Sequence, residues 1–269
     1  MNYILITNDI DTAVYAQNCG VDRIMVDLEI IGKNERQGHL NTVISNHNLE
    51  DVKNVRSVLS KSDLLVRVNP IHNTSKEEID EVIRLGADIV MLPMFTTPKE
   101  VKEFVSIVNG RATVNLLLET PQALVRIDEI LSISGIDEIH IGLNDLHLGI
   151  GLKFMFELLS GGIVEYLSDK INAAKLKFGF GGIARLGQGM LDSSLILSEH
   201  HRLNSKMVIL SRDFYGGAKT YIEFKESVDL KFEVDNIRKY IDSLEYITNE
   251  KLHQNKLAVK EKVNQIVYK

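Results

Sequence analysis

The sequence predicts a (β/α)8 TIM barrel with a C-terminal helical extension. Three observations carry that expectation. Eight short, β-branched runs alternate with helix-period stretches along most of the 269 residues. The runs are nearly continuously apolar, as strands of a parallel sheet covered on both faces are. Successive units also share one grammar of strand, cap, helix and glycine, and eight such units in one chain match a closed barrel better than an open sheet.

The candidate strands are YILIT (3–7), RIMVDL (23–28), DLLVRVN (63–69), DIVMLP (88–93), TVNLLLE (113–119), EIHIGL (138–143), KFGFGG (177–182) and MVILSR (207–212). Between strands three and four, SKEEIDEVIRLGA puts Ile79, Val82 and Ile83 on one helical face and stops at Gly86. Ser75 and Glu78 have the spacing of a capping box for that helix. The next helix, TPKEVKEFVSIVNG, repeats the plan with Thr97 as N-cap, Pro98 in the first turn and Gly110 at the far end. The segment TPQALVRIDEIL after strand five reads as one helix. No G-x-G-x-x-G opens an early helix, which argues against a dinucleotide-binding sheet.

Residues 1–215 make up the expected barrel, and 216–269 the extension. The extension is highly charged, with helical spacing at Ile237, Ile241, Leu244 and Ile247 and again at Leu252, Leu257, Val263 and Ile266. An apolar stripe outside a closed barrel needs a surface to cover, on its own barrel or on a neighbouring subunit. Oligomerisation is the role expected of it. The segment 37–49, QGHLNTVISNHNL, has no clear period and reads as a loop.

Net charge is −6 with a pI near 5.8, so no overall basic field gathers nucleic acid or anionic lipid. One cysteine, Cys19, excludes an internal disulfide framework and a cysteine-rich metal site. No run approaches the roughly 18 apolar residues of a membrane span, and Asp9 and Asp11 interrupt the N-terminus early. The expectation is a cytoplasmic protein acting on a small molecule, with neither nucleic acid nor membrane as partner.

In a barrel, polar residues at the C-terminal strand ends face the active-site mouth. Those positions hold Asp27 and Glu29 (strand two), Arg67 and Asn69 (strand three), Glu119 (strand five), and Asn144, Asp145 and His147 (strand six). Glu119 and Asp145, two carboxylates from adjacent strands with no paired histidine or cysteine, suit a hard cation such as Mg2+ or Mn2+. The competing reading is that each caps the helix after it; Thr120 and Pro121 can start the helix after Glu119, however, which frees that carboxylate to face the mouth. Arg67 lies in an apolar run, where an unpaired guanidinium is costly. It needs an anion, either Asp27 or Glu29, or a substrate carboxylate or enolate oxygen. GFGGIAR, with Gly181 and Gly182, resembles a backbone-amide cradle, although close packing of a turn explains glycines as well. His147, two residues past Asp145, is the acid/base candidate; His39, His47 and His72 rank behind it.

Taken together, these residues resemble the HpcH/HpaI aldolase/citrate lyase superfamily. The likeness covers roughly residues 20–212 and is carried by VDRIMVDLE, LLVRVNP, GADIVMLPMFTTPKEV, VNLLLETPQAL and IDEIHIGLNDLHLGIG. It implies a metal-dependent (β/α)8 enzyme that makes or breaks C–C bonds beside a carbonyl. Glu119 in LLLETP and Asp145 in GLNDL match the metal-binding carboxylates, and Arg67 in VRVN the arginine that binds substrate and stabilises the enolate. Glu29 matches the acid of the second-strand motif, and Pro93 and Met94 in MLPM line the substrate pocket. The resemblance also implies a homo-oligomer, a trimer or hexamer. One position departs from the pattern: Ile30 follows Glu29 where the sugar-acid branch has its histidine.

The expected function is therefore a metal-dependent carbon–carbon lyase or aldolase acting on a 2-oxo acid, with Arg67, Asn69, Pro93, Met94, Gly181 and Gly182 binding substrate. Glu29, His147 or water moves the proton. The alternatives are a citrate-lyase-like acyl-CoA lyase, and a non-catalytic metabolite-binding barrel that scaffolds a biosynthetic complex.

Overall fold

A computed structural model describes residues 1–32, 47–216, 218 and 220–269. Eight parallel strands close into one barrel in sequence order, each paired with its chain neighbours and β1 with β8. They are β1 Asn2–Ile6, β2 Arg23–Asp27, β3 Asp63–Arg67, β4 Ile89–Leu92, β5 Thr113–Leu118, β6 Glu138–Ile141, β7 Lys177–Ile183 and β8 Met207–Leu210. All eight expected strands are present. They end a residue or two early at several C-termini, because the chain turns out to build the mouth.

Alternate residues of a strand face opposite sides, and the packing divides them cleanly. Ile4, Met25, Leu65, Met91, Leu117 and Met207 pack together inside the barrel. Their neighbours Leu5, Ile24, Val26, Leu64, Val66, Leu116 and Leu118 pack outward with the helices. The inward register therefore runs Arg23–Met25–Asp27, Leu65–Arg67, Asn115–Leu117–Glu119 and Glu138–His140. Its apolar middle separates a polar floor from a polar mouth.

The floor is an ion pair. Arg23 donates through Nη1 and Nη2 to the two oxygens of Glu138 (2.7 and 2.8 Å), and Asn115 Nδ2 donates to Glu138 Oε2 at 3.2 Å. Burial alone would raise the Glu138 carboxyl, but the Arg23 contacts outweigh it and hold the group below the usual carboxylate range.

Of the expected caps, Thr97 behaves as read: it bonds reciprocally with Glu100 ahead of α4 (Pro98–Val108), preceded by α1 Ile10–Asn18, α2 Leu49–Val58 and α3 Ser75–Arg84. The Ser75–Glu78 box is not formed. Thr74 precedes α3 without a side-chain cap, and Glu78 Oε1 instead accepts from Asn69 Nδ2 (2.8 Å) and Asn69 N (3.3 Å). The single helix expected after β5 is two, α5 Pro121–Val125 and α6 Ile127–Leu131, broken at Arg126. Of the loop expected at 37–49, residues 37–46 lie outside the described residues, and Leu49 already begins α2.

After β6 come α7 Leu143–Ile150, α8 Glu157–Ser160 and α9 Ile163–Ala173; α10 Ser193–Arg202 lies between β7 and β8. The extension forms α11 Tyr221–Ser227, α12 Leu230–Leu244 and α13 Asn249–Val267. Part of its apolar stripe covers its own barrel, while Leu257 stays exposed. Val234, Ile237, Leu244, Val259 and Val263 are buried. Arg238 donates to Asp22 and Gly20 O, and Asn255 reaches Leu195 O and Glu199 on α10. Among the described residues, no helix is long and apolar enough to cross a membrane.

Removing one partner of a buried ion pair strands a charge, at a cost of about 3–5 kcal/mol. Arg23→Met is accordingly expected to lose that much stability in urea unfolding. Arg23→Met with Glu138→Leu should recover most of it, and a double variant no better than the single would contradict the pairing account.

Candidate active site

Asp27 and Arg67 are ladder partners at the C-terminal ends of β2 and β3. Arg67 Nε and Nη2 donate to Asp27 Oδ1 and Oδ2, both at 2.8 Å, in a planar fork. Arg67 Nη1 lies 3.3 Å from Glu29 Oε2. Burial alone would weaken the guanidinium's hold on its proton, but Asp27 and then Glu29 more than offset this. The anion that Arg67 was expected to need is thus supplied by protein. Two of its five N–H groups are directed at Asp27 and a third at Glu29, which leaves donor capacity on the fork.

Asn69 was expected to bind substrate; here it holds the backbone. Its Oδ1 accepts from the amides of Ile30 (2.9 Å) and Ile31 (3.0 Å), while Glu78 fixes its other end. The chain leaving Glu29 is clamped by this contact, with the Ile30 side chain 59% exposed at the rim.

Glu119 follows β5 and is buried. It does not cap the next helix. Thr120 does, accepting from Ala123 N at 3.1 Å while donating to Phe95 O at 2.7 Å. Pro121 opens α5 without needing a donor. The freed Glu119 carboxylate accepts from Met94 N at 3.2 Å. Met94 follows buried Pro93 and has φ +53°, a left-handed conformation that costs a non-glycine residue about 1–2 kcal/mol. That turn aims its amide at the carboxylate.

Gly142 makes the second wall. A Cβ there would lie 2.7 Å from Glu119 Cβ and 2.8 Å from Oε2, so only glycine lets β6 pass this close. Gly142 also occupies the N-cap position of α7, a helix with no side-chain cap, which places Asp145 in its first turn. Asp145 is close enough to act electrostatically on Glu119. Burial pushes the Glu119 carboxyl well above the usual carboxylate range; Arg67 opposes this, and the charges of Glu29 and Asp145 add to it. Four carboxyl groups, those of Asp27, Glu29, Glu119 and Asp145, and the Arg67 guanidinium meet in this field.

That donor set fits a small divalent cation. Carboxylate oxygens are hard ligands, a cation beside Glu119 would favour its ionised form, and two protein ligands leave positions for water or substrate oxygens. Among the described residues, no group of three or more His, Cys, Asp or Glu side chains is arranged to enclose a metal alone.

The remaining expectations fare differently. His147 lies two residues beyond Asp145, about 200° around the helix, and its buried ring meets Leu143 O through Nδ1 at 3.2 Å. It does not join the cluster. Gly181 (φ +53°) packs against the Leu143 side chain and gives its carbonyl to His140 Nε2 at 3.1 Å; Gly182 lies against Ile209 O. Close packing accounts for both glycines. His39 is outside the described residues, and His72 bonds locally to Ser75 Oγ and Pro70 O.

Gly142, the first residue of GLNDL, was not read as a site residue, and His47 ranked behind His147. His47 Nδ1 accepts from Asp27 N at 3.0 Å, which brings it beside the Arg67 pair. The signal for it was the following N-L-E-D, where Asn48 and Asp51 form a reciprocal cap on α2.

The HpcH/HpaI aldolase/citrate lyase family model matches residues 6–160, more than half of the chain. The chain belongs to this family. No curated protein sequence matches it. Among solved structures, an HpcH/HpaI aldolase from Desulfitobacterium hafniense DCB-2 superposes with a TM-score of 0.62 at 14% identity, covering 92% of this chain and 94% of that one. The citrate synthase SbnG superposes with a TM-score of 0.60 at 16% identity, covering 87% and 94%. Macrophomate synthase gives 0.56 at 15%, covering 78% and 76%. At these identities the likeness is one of fold. Membership supports an aldolase- or lyase-type enzyme.

One titration follows from the inward register. Burial is the main cause holding the His140 imidazole down, to about 4 from an ordinary 6.5. The folded protein thus refuses a proton that the unfolded chain takes up below about 6.5. The stability is fully present above that pH and drains away as pH falls towards 4, by about 3 kcal/mol for this one group. His140→Gln should show a shallower loss of stability than wild type between pH 6.5 and 4. Equal slopes in urea unfolding would contradict the neutral, buried state.

Proposed function

We propose that the protein is a divalent-metal-dependent carbon–carbon lyase of the aldolase type, acting on a 2-oxo acid through an enolate. The observation that supports this most is Glu119, buried, uninvolved in capping, and under the combined field of Arg67, Glu29 and Asp145. Family membership supplies the reaction class.

In this reading Glu119 and Asp145 hold Mg2+ or Mn2+. The ion, when bound, contributes Lewis acidity towards the substrate's carboxylate and carbonyl oxygens. Arg67, kept rigid by Asp27, presents its remaining N–H groups to the negative charge that develops as the bond beside the carbonyl breaks. Asp27 and Asn69 act as positioning residues. Asp27 fixes the plane of the fork, and Asn69 pins the chain that carries Glu29. Met94 N and Gly142 keep the Glu119 carboxylate against one wall of the mouth. Pro93 and Met94 line the substrate side of β4. With Ile30 after Glu29, water is the proton carrier.

The test is exchange of the methyl protons of pyruvate with deuterated solvent, which reports enolate formation without needing the second substrate. Wild-type protein with Mn2+ should catalyse it. Glu119→Gln and Asp145→Asn should each slow it on the order of 100-fold, and weaken Mn2+ binding at least about tenfold. Full exchange and full Mn2+ affinity in both variants would sink the proposal.

A further inference from the structure

Building on that enolate reading, we propose that Arg185 and Ser211 bind a second anionic group, a carboxylate or phosphate, at the far end of the substrate. The preferred substrates are then 2-oxo acids that carry such a group.

The residues assigned to the head of the 2-oxo acid all come from one arc of the barrel. Arg67 ends β3, Pro93 and Met94 follow β4, Glu119 follows β5 and Asp145 follows β6. The rest of the closed ring, at the ends of β7, β8 and β1, is left to the part of the substrate beyond the reacting bond.

On β8 the inward register of Met207 and Ile209 continues to Ser211, at the mouth. Ser211 N donates to Ile183 O at 2.9 Å, which ties the end of β8 to the end of β7. The hydroxyl is not used in this way. Ser211 Oγ is shielded from solvent and has no hydrogen-bond partner. Its neighbour on β7 is Gly182, which has no side chain to meet it; a Cβ there would lie 3.6 Å from the Ser211 Cβ.

Arg185 stands just past the end of β7. Its carbonyl accepts from Gln188 N at 3.0 Å and Ser193 Oγ at 2.7 Å, which fixes the base of the side chain. The guanidinium reaches across to the loop after β8, where Nη2 lies 3.9 Å from the position a Gly216 Cβ would take. Nε is shielded from solvent, and among the described residues the side chain makes neither a hydrogen bond nor an ion pair. Arginines elsewhere behave differently. Arg23, Arg56, Arg67, Arg202 and Arg238 each hold a carboxylate.

Two shielded donors at adjacent strand ends thus lack an acceptor, an arrangement that costs stability unless a ligand completes it. The chemistry of that ligand follows from the pair. A neutral carbonyl or hydroxyl would satisfy Ser211 and leave the charge of Arg185 unmatched. A carboxylate or phosphate offers acceptor oxygens to both and the opposite charge to the guanidinium.

Calorimetric binding to the Mn2+-loaded protein tests this. Pyruvate, with no second anionic group, is compared with 2-oxoglutarate, 2-oxoadipate and 2-oxo-4-phosphonobutanoate, and the readout is the ratio of each affinity to that of pyruvate. In the wild type the ratio should reach about tenfold for at least one of the three, with the phosphonate arm separating phosphate from carboxylate preference. Arg185→Met should bring it close to one, Arg185→Lys should keep part of it, and Ser211→Ala should lower it about threefold. Because the guanidinium makes no internal bond, Arg185→Met should unfold no lower than the wild type; a large fall would mean that Arg185 serves the fold and would count against the assignment. A wild-type ratio near one for all three ligands, or an unchanged ratio in Arg185→Met, would overturn this inference alone and leave water as the partner of both groups. A wild-type protein that binds no pyruvate in the presence of Mn2+ would overturn the enolate reading, and this inference with it.

Discussion

A guanidinium at the end of an apolar strand must find a carboxylate or leave the barrel. The fork between Arg67 and Asp27 meets that demand, and the mouth is arranged around it. Asp27 gives both oxygens to Arg67, accepts the Glu29 amide at 3.2 Å, and offers its own amide to His47. One aspartate thereby ties β2, β3, the chain leaving β2 and the start of α2 into a single unit. Glu119 enters the field of that unit from two strands further on.

The two ends of the barrel resolve their buried charge in opposite ways. At the floor, Arg23 and Glu138 match one to one, and Asn115 adds a further donor to the carboxylate. The pair closes the interior and asks for no ligand. At the mouth, one guanidinium serves several carboxylates, and burial presses Glu119 towards its neutral form. A buried carboxyl pressed towards its neutral form is poor for stability and well suited to a cation, in keeping with the use of this end as the reactive face of such barrels.

Much of this was legible in the sequence because it is local. Continuous apolar runs announced strands buried on both faces, and Thr97 and Thr120 announced their caps through the residues next to them. Glu119 could be assigned to the mouth because Thr120-Pro121 suffices to begin a helix. The need of Arg67 for an anion was also plain, although the protein meets it with Asp27 and Glu29. What sequence spacing could not supply depends on approach in three dimensions. Ser75 and Glu78 have capping-box spacing, but Asn69 takes Glu78 to brace the chain after Glu29. Gly142 matters because Glu119 lies against it. His47 matters because α2 begins where it does, and no periodic signal connects it with Asp27. His147 looked apt by its closeness to Asp145 in sequence; the helical turn carries the two apart.

The most direct test of the central claim, that Glu119 and Asp145 hold a catalytic cation at the mouth, is anomalous diffraction from crystals soaked in Mn2+ with oxalate. The account predicts one strong peak bridging the carboxylates of Glu119 and Asp145, with oxalate on the same ion and within reach of Arg67. No peak there, or a peak confined to the carboxylates of Asp63, Asp88 and Asp137 around the opposite end of the barrel, would contradict it.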